Sequence, residues 1–135
     1  MRITHQGMLM LLLAVCALAP AQEAPSFPGK GLPPVTAREI QPLIALCETC
    51  HGPKGQSTRQ DVPVIAGKPA DSIMDSLEQF YFYERHCPDV QYKNESGSTV
   101  TQSMCDITSG LTKPEVQALA RFFEGRDPES RDAAQ

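Results

Sequence analysis

Two cysteines three positions apart, Cys47 and Cys50, are followed directly by His51, and this pattern constrains the chain more than any other feature. Two thiols at this spacing with a histidine behind them are typical of covalent attachment of a c-type haem. The sulfurs can add to the two vinyl groups on one edge of the porphyrin, and the imidazole can then bind the iron as its proximal ligand. The motif therefore predicts one haem c, held covalently through Cys47 and Cys50, with its iron on His51.

Two other interpretations of the motif explain less. A thioredoxin-like redox pair is expected after a strand, and it would leave His51 without a role. A zinc site normally needs further Cys or His at ligand spacing, and neither Cys87 nor Cys105 has a partner two or three residues away. Haem attachment uses all three residues of the motif and is therefore the favoured interpretation.

Residues 1–21 have the three parts of a secretory signal peptide. Arg2 stands near the start, residues 8–18 are apolar, and residues 19–21 form a small-residue cleavage site. We therefore expect a periplasmic protein, with Cys16 removed together with the signal. Because the apolar run is too short to span a bilayer and no other stretch is long enough, we expect no integral membrane segment.

Four cysteines remain after removal of the signal, and the haem takes two of them. The other two, Cys87 and Cys105, are expected to form a disulfide in an oxidising compartment. Closing a polar, turn-rich loop of this order stabilises the fold by about 3 kcal/mol. Two unpaired thiols are the alternative, because the sequence does not show whether the two Cα atoms approach closely enough.

The charge balance bears on possible partners. The formal net charge is -4 and the chain has no long run of like charges, which argues against binding to nucleic acid. It also argues against docking through a strongly basic face, as some electron carriers do. The expected partners are therefore redox proteins, a donor and an acceptor that the sequence does not name.

The two ends of the mature chain are poor in helix and strand signals. Residues 22–35 are rich in proline and glycine, and we expect an extended arm that tethers loosely or wraps a partner. Residues 126–135 are polar and contain a proline, and we expect a flexible tail. The folded domain is expected to comprise residues 36–125.

Three helices are expected in this domain. The first begins near Thr36, where Glu39 completes a capping-box pattern, and it runs into the haem motif. Pro42 leaves two possibilities, a kink or a start just before the proline. The second helix is expected over residues 69–86 and the third over residues 112–125. Because no run shows convincing period-two alternation between turn signals, we predict an all-α fold packed around the haem.

The second axial position decides the chemistry of the iron, since a methionine makes an electron carrier and an open position makes a binder or catalyst. The mature chain offers Met74 and Met104. Met74 flanks the apolar face of the second helix, where a packing role is favoured. Met104 lies in a segment expected to be irregular, where a loop can lower a thioether onto the iron, and we predict Met104 as the ligand. The alternative is His86, which would give a bis-histidine haem but is favoured as a surface cation at a helix end.

The order of these motifs resembles class I cytochromes c of small bacterial type. It is also similar to the halves of dihaem bacterial cytochromes c and to the cytochrome subunits of flavocytochrome c sulfide dehydrogenases. The likeness covers about residues 36–125 and rests on the haem motif with Gly52 behind it, residues 55–57, residues 63–67, the methionine segment and residues 111–123. The chain departs from the pattern in the long, polar segment between its last two cysteines.

The resemblance implies a cytochrome c fold with three main helices around one covalently bound haem. It further implies electron transfer with His51 and Met104 as axial ligands, and a hydrogen bond from His51 to the Pro63 carbonyl. We therefore expect a periplasmic one-electron carrier rather than an enzyme. Two alternatives stay open: the cytochrome subunit of an oxidoreductase complex, for example a sulfur-compound dehydrogenase with a larger subunit, and a haem sensor or peroxidase-like enzyme with an open sixth site.

Overall fold

The computed structural model describes residues 25–94 and 96–125, which form four α-helices and two strands. The helices are α1 (Gln41–His51), α2 (Ala70–Tyr81), α3 (Met104–Ser109) and α4 (Lys113–Glu124). A 3-10 turn, Pro53–Gly55, follows α1, and the strands β1 (Val90–Lys93) and β2 (Thr99–Gln102) lie between α2 and α3. The expected signal peptide and the expected C-terminal tail lie outside the described residues, as do residues 22–24 of the arm.

The prediction of an all-α protein is wrong. β1 and β2 form a two-stranded antiparallel sheet in which Val90 lies opposite Gln102 and Lys93 opposite Thr99. Burial alternates along both strands, as expected for a hairpin with one face toward the protein. Strands of four residues give too few repeats for a clear period, and their polar side chains are typical of a loop. The fold is mixed α and β, and it is not the expected three-helix cytochrome c fold.

The first helix starts just before Pro42, which was one of the two possibilities that the proline left open. α1 starts at Gln41 with Pro42 in its first turn, where the missing N–H of proline costs no hydrogen bond. The capping-box residues do interact, since the Thr36 N–H donates to Glu39 Oε2 over 2.7 Å. They close a turn that precedes the helix rather than the helix itself.

The second helix is shorter than predicted. α2 ends at Tyr81, short of His86, because the chain takes a left-handed conformation at Tyr83, where φ is 57°. A side-chain-bearing residue in this conformation does not continue a right-handed helix. The backbone N–H groups of Tyr83 and Glu84 instead donate back to the carbonyls of Phe80 and Gln79, so the chain turns away from the helix axis.

The last two helices carry side-chain caps at their starts. At α4 the Thr112 N–H donates to Glu115 Oε2 over 2.7 Å, and Gly125 ends the helix with a φ of 83°; this cap and this stop were predicted. At α3 the Ser103 N–H donates to Asp106 Oδ2 over 2.9 Å, and the Asp106 N–H donates back to Ser103 Oγ. This second cap begins a helix that the sequence had not indicated.

The hydrophobic core lies mainly where α2 packs against α4. Its buried members come from the arm, α1, α2, α4 and the turns around them: Phe27, Ile40, Ile44, Ile73, Leu111, Val116, Ala118, Leu119, Ala120 and Phe123. Burial of this apolar surface is the main favourable term in folding. Within the two described ranges, no helix is long and apolar enough to cross a membrane.

The arm is anchored to the core at Phe27, so the expectation of a loose arm fails there. Phe27 is 4% exposed, and its ring centroid lies 4.6 Å from that of Tyr81. Next to it, the Pro28 carbonyl accepts a hydrogen bond of 2.8 Å from the Lys113 N–H at the start of α4. These contacts tie the arm to α2 and α4 together.

Replacing Phe27 by Ala is expected to lower the free energy of unfolding by about 3 kcal/mol, because it removes a buried aromatic ring and leaves a cavity. Leu32→Ala is the matched control in the same arm: Leu32 is 56% exposed, and its loss should change the free energy by less than about 0.5 kcal/mol. Urea unfolding of the two variants measures the difference. Equal effects would show that the arm is not held through Phe27.

Candidate functional site

The C-terminal end of α1 carries all three residues of the motif, Cys47, Cys50 and His51. Cys47 and Cys50 are three residues apart on a helix, a spacing that puts their side chains on one face. Both are half-buried free thiols. His51 is the last residue of the helix and is 7% exposed. Two sulfurs and one imidazole are thus presented together from one rigid element.

Gly52 ends the helix directly behind the imidazole. Its φ is 73°, in the region that favours glycine, and a Cβ at this position would lie 2.7 Å from the backbone oxygen of Gln56. The turn that follows is held by Glu48, whose side chain accepts a hydrogen bond of 2.7 Å from the Lys54 N–H. The chain can therefore reverse at once behind His51, and the end of the helix is fixed.

A hydrogen bond selects the tautomer of His51. Its Nδ1 lies 2.7 Å from the carbonyl oxygen of Pro63. A carbonyl oxygen only accepts, so Nδ1 carries the proton and donates, which leaves Nε2 with a free lone pair in the neutral ring. Burial lowers the pKa of His51, and the bond to Pro63 opposes that shift in part. The imidazole is therefore held neutral and oriented, the form in which histidine binds a metal.

The two thiols are not poised for disulfide exchange. Burial raises the pKa of Cys47 to about 11, and burial likewise raises the pKa of Cys50. A redox-active pair needs a thiol with a lowered pKa, because the thiolate is the reactive form. No strand precedes α1 in the described part of the chain. Both findings argue against a thioredoxin-like function for the motif.

A zinc site at the motif also finds no support. Among residues 25–94 and 96–125, no group of three or more His, Cys, Asp and Glu side chains is placed to hold a metal ion. Structural zinc needs four such ligands and catalytic zinc needs three.

The motif opens onto one cavity of about 230 Å³, here called the central cavity. Cys47, Cys50, His51 and Pro63 line it on the side of α1. The rest of its wall is mainly apolar and comes from α2, α3, α4 and the turns between them: Val62, Ile65, Ile73, Leu77, Phe80, Ile107, Leu111, Leu119 and Phe123. An apolar space with a few placed polar or ligating groups is the usual form of a cofactor site.

Met104 lines the same cavity from the first turn of α3. The sequence had placed it in an irregular loop, and the structure corrects that expectation. The cap formed by Ser103 and Asp106 starts the helix at this residue. Cys105 follows directly and lies at disulfide distance from Cys87, with the two Cα atoms 5.9 Å apart. The expected pair of sulfurs is thus brought together beside the expected ligand.

The two other candidate ligands lie elsewhere. Met74, on α2, packs against the core and lines a separate groove with Gln117 and Arg121 of α4. His86 is exposed in the turn after α2. In the described part of the chain, the side chains lining the central cavity include Met104 but neither Met74 nor His86. The structure therefore brings together the five residues that the sequence singled out: Cys47, Cys50, His51, Pro63 and Met104.

Other residues of the cavity were missed by sequence reasoning. Val90 and Gln102, at the open end of the hairpin, form part of its wall. Asp61, Lys68 and Arg85 are exposed residues that also line it and so stand at its mouth. The local signal for the hairpin was its turn, where Gly97 has a φ of 77°.

The donor set of the cavity fits a haem c. Covalent attachment needs two thiols beside each other, and Cys47 and Cys50 provide them. Axial ligation needs an imidazole with a free ring nitrogen, and His51 provides it. Met104 adds a thioether in the same apolar space. No protein-family model, curated protein or solved structure matches this chain.

Proposed function

We propose that the protein is a periplasmic one-electron carrier with a single haem c attached through Cys47 and Cys50. The observation that supports this most is that the attachment motif and Met104 line one apolar cavity. When bound, the haem supplies reversible one-electron exchange between ferric and ferrous iron. The protein transforms no substrate, and its partners are redox proteins that deliver and remove the electron.

His51 and Pro63 have separate roles in this proposal. His51 offers Nε2 to the iron, since its Nδ1 proton is engaged by the Pro63 carbonyl over 2.7 Å. That hydrogen bond fixes the ring orientation and increases the basicity of the ligand. Burial of the ring keeps it neutral, so the proton does not compete with iron for the nitrogen.

Met104 is proposed as the second axial ligand. A thioether raises the reduction potential relative to a second imidazole. With both axial positions filled by the chain, small molecules do not gain ready access to the iron. The apolar wall, with Leu119 and Phe123 as its most buried members, excludes water from the space around the ligands. The same geometry can therefore serve both oxidation states.

The structure favours a free carrier over a subunit of an oxidoreductase complex in one respect. The proline-rich arm and the long segment between the last two cysteines were the two features that pointed to a partner subunit, and the structure bears on the first of them. Phe27 is buried against Tyr81 and the neighbouring Pro28 carbonyl is bonded to Lys113, so this part of the arm is engaged by the protein's own core. The mildly acidic charge of -4 does not indicate a strongly basic docking face.

The spectrum of protein exported through a c-type maturation system tests the proposal. We expect a c-type ferrous spectrum, a weak near-infrared ferric band from sulfur ligation, and a single reversible one-electron titration. A low-spin ferric haem without that band would point to His86. A high-spin ferric haem that binds cyanide and turns over peroxide would replace the carrier with the sensor or peroxidase-like alternative.

A further inference from the structure

A covalent link adjoins the methionine that the proposed function places on the iron. Cys105 follows Met104 directly and is 2% exposed. It lies at disulfide distance from Cys87, and the Cα separation of 5.9 Å is within the range of a disulfide. The first turn of α3 is therefore tied to the segment between α2 and β1.

Both segments joined by this link form part of the wall of the central cavity. Pro88 lines the cavity beside Cys87, and Met104 lines it beside Cys105. The first pair of the hairpin, Val90 opposite Gln102, lines it as well. The disulfide and this strand pair close a short ring of chain on one side of the cavity.

The position of α3 depends on such tertiary ties. The helix has only six residues, and an isolated helix of that length is not stable in water. The hydrogen bonds between Ser103 and Asp106 keep its first turn helical. They are local, however, and do not fix the turn relative to His51. The disulfide ties that turn covalently to the segment after α2.

A second, weaker contact joins the hairpin to Arg59. The Arg59 guanidinium donates to the Gln91 carbonyl over 3.0 Å, and it is paired with Asp61 through two hydrogen bonds. Asp61 belongs to the segment that continues into Val62 and Pro63, beside His51. These side chains are exposed, and exposed ion pairs hold a structure only weakly. The covalent link on the α3 side is thus the stronger of the two.

We propose that Cys87 and Cys105 are positioning residues for Met104, because their disulfide holds the thioether inside the central cavity. This inference rests on the proposed function and adds to it the element that secures the second axial ligand. Without the link, α3 samples arrangements in which Met104 lies away from the iron position. An external ligand then competes more successfully for that position, in proportion to the population of those arrangements.

The test compares the exported parent protein with the Cys87→Ala/Cys105→Ala double variant in the ferric state. We expect the variant to bind imidazole about tenfold more tightly and to show a weaker sulfur-ligation band. Phe27→Ala is the control for general destabilisation, since it weakens the fold at the arm and leaves α3 tied. Its imidazole affinity and its band should match those of the parent.

The outcomes separate this inference from the proposed function. A double variant with the band and the imidazole affinity of the parent overturns the positioning role and leaves the ligation of Met104 intact. A parent protein that lacks the band overturns the ligation, and the positioning role with it. If the imidazole affinity and the sulfur-ligation band change equally in the double variant and in Phe27→Ala, the positioning role is also overturned, because general destabilisation of the fold then explains the effect.

If the double variant is not exported, the parent protein gives the same comparison. It is kept ferrous, and its carbon monoxide binding is measured before and after treatment with a dithiol reagent. The reagent passes two electrons and two protons to the disulfide, which yields two protein thiols and the oxidised, cyclic reagent. Alkylation and mass measurement verify the freed thiols of Cys87 and Cys105. Carbon monoxide binding about tenfold faster supports the inference, and an unchanged rate overturns it.

Discussion

Replacing Cys47 and Cys50 together by Ala is expected to abolish covalent attachment of haem. The two thioether bonds need both sulfurs, and these two thiols are the free cysteines of the described residues. A haem held only by His51 and Met104 is released when the chain unfolds, because coordination bonds do not survive loss of the fold. Denaturing electrophoresis with staining for haem measures this directly, and the expected signal falls from one haem per chain to none.

A neighbouring position supplies the control for this double variant. Thr49 stands between the two cysteines, is exposed, and donates from its hydroxyl to the Ala45 carbonyl over 2.9 Å. Thr49→Ala removes that local bond without touching a thiol, so it should retain one covalent haem per chain. Haem that stays bound to the Cys47→Ala/Cys50→Ala variant after unfolding would contradict attachment through this motif.

Replacing Met104 by Ala should convert a low-spin ferric haem into one that binds small ligands. If the parent protein leaves the iron open in about 1% of molecules, removal of the thioether raises the apparent affinity for imidazole about 100-fold. The reduction potential should also fall, since the thioether favours ferrous iron. An imidazole titration of the ferric protein and a potentiometric titration measure the two effects.

Met74→Ala is the matched control, because it removes the same side chain at a site that does not line the central cavity. Met74 lies against the core and the α2–α4 groove. Its loss should reduce stability by up to about 2 kcal/mol and leave the spectrum unchanged. If Met74→Ala abolishes the near-infrared band while Met104→Ala keeps it, the axial assignment is wrong.

The residues of the proposed attachment site stand out in the sequence because the chemistry proposed for them requires a fixed local spacing. The motif places two thiols and an imidazole within five residues, Cys47 to His51, at the end of one helix. The cap and stop of α4 were predictable for the same reason, since Thr112 and Gly125 act on their own helix. Local sequence patterns thus predict those parts of the structure whose interacting residues are close together in the chain.

The hairpin and α3 could not be predicted in this way. Strands of four residues and a helix of six contain too few repeats for a periodic signal. Both are held by distant partners, the hairpin through Arg59 and α3 through Cys87. For the same reason the burial of Phe27 was missed: an isolated aromatic among prolines has no period, and its partner, Tyr81, lies far along the chain.

The surroundings of Met104 were predicted only in part. The sequence favoured it over Met74 because it lay outside a predicted helix, yet the structure places it inside one. It still lines the central cavity, because the Ser103 cap starts α3 at that residue and the cysteine behind it is tied to Cys87. We still propose Met104 as the ligand, on the ground that it lines the central cavity and not that it lies in a loop.

The intact mass of the unfolded protein, after export through a c-type maturation system, tests covalent haem attachment most directly. We predict a mass equal to that of the processed chain plus one haem, and a chain without haem when the same protein is made without the maturation system. A mass equal to the polypeptide alone after export, with Cys47 and Cys50 free to react with an alkylating reagent, would contradict the central claim.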